Sequence, residues 1–109
     1  MAYDENLAQR IRMILQGKPN LTEQKSFGGI SFLLNGNMAC GVIKEELIVR
    51  VGPEKHAELL ALPHARPFDF TGRPMKGWLT VMPGGFVTDQ DLKAWVQRGI
   101  AFAASLPPK

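Results

Sequence analysis

The dipeptide Asn35-Gly36 constrains the fold of this chain more than any other feature. Both residues tolerate positive φ, which a two-residue hairpin turn demands, and apolar, strand-forming segments flank them. Residues 30–34 lead into the turn and residues 38–43 leave it. A second turn at Lys44-Glu45-Glu46 starts another segment, residues 47–51. Strand alternation sorts the side chains into two faces. Ile30, Phe32 and Leu34 share one face with Met38, Cys40, Val42, Leu47, Val49 and Val51. Ser31, Leu33, Ala39, Gly41, Ile43, Ile48 and Arg50 take the other, and Leu79 and Val81 of a later strand are assigned there too. The first face of this meander is far more apolar, so helices must cover it.

Helical segments stand on both sides of the meander. Asp4 is an N-cap signal, and Leu7, Ala8, Ile11, Ile14 and Leu15 make one apolar stripe before Gly17 and Pro19 end the helix. Residues 22–26 read as a polar link. Gly52-Pro53 predicts a second helix with Pro at its first position, buried through Ala57, Leu60 and Ala61. Pro63 and Pro67 then keep residues 62–67 irregular, residues 68–70 are extended, and residues 78–82 form a strand. Thr88, with Asp91 three residues on, caps a last helix whose stripe is Leu92, Trp95, Val96, Gly99, Ile100, Ala103 and Leu106. Trp95 is expected inside. The fold class is α+β: two layers, an antiparallel sheet with helices packed on one face, in the order α-β-β-β-α-β-β-α.

At 109 residues the chain is one domain in length, residues 1–109, and long enough to bury a core unaided. One cysteine excludes an internal disulfide and any multi-cysteine zinc site. The N-terminal MAYDENLAQR carries acids and no apolar stretch, and no run is long enough to span a bilayer, so a cytoplasmic protein without a signal peptide is expected. The formal charge of +3 is spread along the chain, which fits solubility and leaves room for an acidic partner.

The run KSFGGISFLLNGNMACGVIKEELIVRVGP, and PFDFTGRPMKGW after it, resemble the TfoX N-terminal domain family. The tail LKAWVQRGIAFAASLPPK is similar to the closing helix of that family's short, free-standing members. The resemblance runs from Lys25 onward and implies a secretion-chaperone-like two-layer fold. The family takes its name from a longer bacterial regulator of competence, which adds a C-terminal helical domain. With the chain ending at Lys109 that domain is expected to be absent, so the regulator's activity is not carried across. No catalytic residue of the family domain is carried over.

Residue chemistry points to no catalytic, cofactor or metal set. Cys40 on the apolar face is expected to be a buried, inert thiol. His56 and His64 lack the spacing of a helical metal pair and read as surface or loop residues. Phe27-Gly28-Gly29 lacks the strand–loop–helix context and the Lys-Ser/Thr ending of a phosphate loop, and reads as a tight entry into the sheet. The one place where charge, aromatics and irregular backbone meet is the loop carrying Arg66, Phe68, Phe70, Arg73, Lys76 and Trp78. The expectation is therefore a non-enzymatic regulatory or protein-interaction domain without a cofactor. The alternatives are a nucleic-acid-associated regulator using that loop and a small-molecule binder with a pocket between sheet and helices. The partners considered are an unidentified protein, nucleic acid and a second copy of the chain, with no membrane. Homodimerisation is implied by the secretion-chaperone resemblance and by a sheet face or edge left uncovered by the helices, a face that includes Ile48; the loop over residues 62–75 is the alternative cover from within the chain.

Overall fold

In a computed structural model, residues 3–26, 28–69 and 74–108 are described. Their elements are α1 (Glu5–Ile14), β1 (Leu21–Ser26), β2 (Gly29–Leu34), β3 (Asn37–Ile43), β4 (Glu46–Arg50), α2 (His56–Leu60), β5 (Ala65–Asp69), β6 (Pro74–Val81) and α3 (Asp89–Ser105), with a 3-10 turn at Pro83–Gly85 before α3. The strands form one antiparallel sheet in the order β1-β2-β3-β4-β6-β5. The α+β class and the antiparallel sheet agree with the sequence, and the order gains one strand.

The local signals act as their chemistry demands. Asn35 and Gly36 both take positive φ (53° and 83°), and β2 pairs with β3 across them. The Asp4 carboxylate accepts from the Asn6 and Leu7 amides. The Thr88 hydroxyl accepts from the Asp91 amide at 3.1 Å. The α3 stripe is buried as expected from Leu92 to Ala103, with Trp95 only 4% exposed, while Leu106 falls just past the helix and is half-buried. Arg10 joins the two long helices by donating to the Phe86 carbonyl and pairing with Asp89.

Four expectations are corrected. Residues 22–26 belong to an edge strand, β1, which needs only backbone pairing with β2 and so carries no apolar alternation. The register between β2 and β3 shifts at Phe32/Leu33, so that Cys40 faces Phe32 while Met38 faces Leu33. Ala39 is the extra residue of a bulge. It is fully buried in the core, and Met38 goes to the opposite face. Leu79 and Val81 pair with Val49 and Leu47, and lie in the core. Finally, residues 53–55 form a turn, so α2 begins only at His56, and it buries Leu59 while Ala57 and Ala61 stay exposed.

The core lies between the sheet and the pair α1 and α3. Gly99 brings α3 against the β3 backbone so closely that a Cβ there would overlap the Ala39 carbonyl oxygen. Gly99→Ala should therefore lower stability by about 1–3 kcal/mol through overpacking, against the gain of about 1 kcal/mol that alanine gives a helix. Urea denaturation would show this as a lower midpoint with an unchanged slope. Trp95→Ala should cost ~3–5 kcal/mol in the same assay; a loss within the surface range would place α3 the wrong way round.

Candidate functional site

The sheet face away from α1 and α3 carries an open apolar groove of about 290 Å³. Its walls are Leu33, Met38, Ile43, Ile48, Phe68, Met75 and Trp78, with Gln24 and Ser31 at one side. Three local features build it. The bulge delivers Met38, which alternation alone would bury. Gly41 keeps the floor low, since a Cβ there would press on the Ile30 carbonyl and the Met38 methyl. The β5–β6 hairpin adds the aromatic wall, with the Phe68 and Trp78 ring centroids 6.1 Å apart and tilted by 37°. Ile48 lines the same groove yet is only 2% exposed. Of the two covers expected for Ile48, a second chain or the same chain, the structure has the second: neighbours within the chain close over it.

Most of the segment read as a loop is that hairpin, with β5 and β6 paired antiparallel on the edge of the sheet. It brings Phe68 and Trp78 together. Arg66 and Lys76 are exposed, while Phe70 and Arg73 lie outside the described residues, as does Phe27 ahead of β2. Arg66 shares a shallow hollow with Lys44, Glu46 and Asp69, so two acids stand among its bases. Sequence reasoning missed Met38, Met75 and Arg50. The Arg50 guanidinium lies 5.1 Å from the Trp78 ring centroid and 5.2 Å from that of Phe102, within cation–π range of both. It links the groove's aromatic wall to α3.

The sequence profile of the TfoX N-terminal domain matches residues 13–103. The chain belongs to the TfoX N-terminal domain family. The match runs from the end of α1 through all six strands into α3, so both the groove and the core beneath it fall inside the TfoX N-terminal domain. Comparison with curated proteins returns no match.

Outside the groove, this TfoX N-terminal domain has a second cavity of about 780 Å³ between α3 and the β4–α2 connection, bordered by Lys55, Gln97, Arg98 and Phe102. It lies on the outer flank of α3, whereas the space between sheet and helices is filled by core side chains. His56 sits close by and is half-buried rather than at the surface. Its Nδ1 accepts from the Gly77 amide at 2.6 Å, and the Gly77 carbonyl accepts from both Val51 and Gly52. That knot holds α2 against β4 and β6, a structural use of the histidine. His64 is exposed, with its ring beside Gly84. Among the described residues, no three His, Cys, Asp or Glu side chains gather where they could hold a metal ion. No helix among them is long and apolar enough to cross a membrane.

Cys40 is completely buried, and burial alone pushes its thiol up to about 12. A thiol reagent should modify it slowly in the folded protein and fast after denaturation; equal rates would mean an exposed thiol. The shift also has a sign in stability. The folded state keeps its proton while the unfolded chain loses it, so the contribution is complete below the ordinary thiol range and declines as pH rises towards 12. Cys40→Ala should flatten the fall in stability over that alkaline window relative to the parent protein.

Proposed function

We propose that this chain is a non-enzymatic, regulatory protein-interaction domain whose binding element is the groove on the open face of the sheet. The observation that supports the reading is the composition and placement of that groove. Its walls are apolar and aromatic, and among the described residues its polar side chains are a glutamine and a serine. Such a surface suits a short apolar segment of a partner protein, held by side-chain burial with little directional chemistry. Trp78 is the natural anchor: it is large and half-buried, and its ring is fixed between Phe68 and Arg50. The family's name fits a regulatory setting. Nucleic-acid binding is the less favoured reading, because Glu46 and Asp69 share the hollow that Arg66 borders.

A photo-reactive amino acid placed at Met38 and irradiated in the native cell should give one dominant protein adduct. The same probe at Gln97, on the far flank of α3, should not give that adduct. Trp78→Ala should weaken binding of the captured partner by about 2 kcal/mol, roughly thirtyfold, while the domain stays folded. Salt should change that affinity little. Binding to unrelated DNA fragments that collapses steeply with rising salt would favour the nucleic-acid reading instead. Absence of a Met38 adduct would remove the groove as the binding element.

A further inference from the structure

The two edges of the sheet are built differently. On one edge, β5 contains Pro67, which has no amide to offer, and its register against β6 shifts between Pro67 and Asp69. That edge is blunted. On the other, β1 runs through six consecutive pairs with β2 without a register shift, and contains no proline. Thr22, Glu23, Gln24 and Lys25 are all exposed, and among the described residues no strand pairs with the free side of β1. A regular strand with an unpaired row of amides and carbonyls is a template for another strand.

The charges on β1 select which strand. Glu23 and Lys25 pair with Phe32 and Ile30, so both stand on the helix side of the sheet, and Gln24, paired with Ser31, stands on the groove side. Consider two copies joined antiparallel about a two-fold axis perpendicular to the sheet. Pleating requires that residues opposite one another face the same side, so the axis must pass through a residue position. Centred on Gln24, it places Glu23 opposite the partner's Lys25, and Lys25 opposite the partner's Glu23. Centred on Glu23 or on Lys25, it sets like charges face to face, which is unfavourable. Gln24 itself meets the partner's Gln24, and each amide has both a donor and an acceptor to give. Arg12 already holds the Glu23 carboxylate at 2.9 Å, and a carboxylate accepts from more than one donor.

We propose that β1 is a homotypic docking edge: two copies pair antiparallel through it in the register centred on Gln24, forming one continuous twelve-stranded sheet. The helices of both copies then lie on one side. The two grooves open on the other, one on each side of the seam, since Gln24 borders its own groove. The contact is one strand wide, so association is weak and depends on concentration.

Sedimentation equilibrium across a concentration series should show a monomer–dimer equilibrium. Glu23→Lys and Lys25→Glu should each weaken it by at least about tenfold, since each replaces two attractive cross-strand pairs with repulsive ones. Circular dichroism would confirm that both variants fold. An equimolar mixture of the two variants should pair as strongly as the parent chain, because the two lysines of one variant then stand opposite the two glutamates of the other. Gln24→Cys tests the register without touching the charges: mild oxidation should link it into dimers, whereas Thr22→Cys should stay unlinked, being offset along the strand. A chain that stays monomeric to millimolar concentration overturns the proposal. So does a dimer indifferent to both charge reversals, a mixture that fails to pair, or equal cross-linking from positions 22 and 24.

Discussion

The contact between Gly99 and the backbone at Ala39 is the one on which the rest of the molecule depends. A helix normally stands off a sheet by the thickness of its side chains. Here a residue without a Cβ meets a bulge whose extra residue is only an alanine, and α3 comes down onto β3. Leu92, Trp95, Val96, Ile100 and Ala103 are carried into the core by that approach. α1 then packs against α3, and Arg10, midway along α1, ties it to the start of α3 through Phe86 and Asp89. The same bulge turns Met38 over to the opposite face. One inserted residue thus seats the main helix and supplies a wall of the groove, so the core and the candidate site are coupled through the covalent path of β3.

Much of this fold was legible because its signals are local. Asn35-Gly36, the caps Asp4 and Thr88 and the stripe of α3 each act within a few residues, and their chemistry does not wait for tertiary context. What escaped was non-local. β1 shows no apolar period, because a strand at the rim needs only a neighbour's backbone. The Ala39 bulge lies in a run of small and apolar residues, Met38-Ala39-Cys40-Gly41, where either phase of alternation looks plausible. Alternation also separates two faces without naming the inner one. Sequence alternation puts Leu79 and Val81 outward, and Trp78 and Met82 make the opposite set just as apolar. The pairing with Val49 and Leu47 settles it.

The site was legible only as a neighbourhood. Phe68 and Trp78 were singled out, and they meet. Arg66 and Lys76 are exposed, but of the acids beside Arg66 only Asp69 lies in the same strand, while Glu46 comes from the start of β4, which no reading of the β5 segment alone brings in. Met38 and Arg50 reach the groove and its aromatic wall through register and through a strand end. His56 looked like a surface residue because nothing in its sequence neighbours announces Gly77, whose amide it accepts from across the sheet's end.

The order of the elements along the chain has a consequence for synthesis. β2, β3 and β4 are joined by short turns and can pair as soon as they have been made, since nearby partners close cheaply. Their apolar face, however, is covered chiefly by α3, which follows every strand in the sequence. A nascent chain therefore carries a finished but bare meander until its last long helix has been translated. During that interval Ile30, Phe32, Val42 and Val49 present the kind of surface that draws chaperones or sticks to other chains. Yield and solubility in the cell should thus respond to how quickly residues 89–105 are delivered.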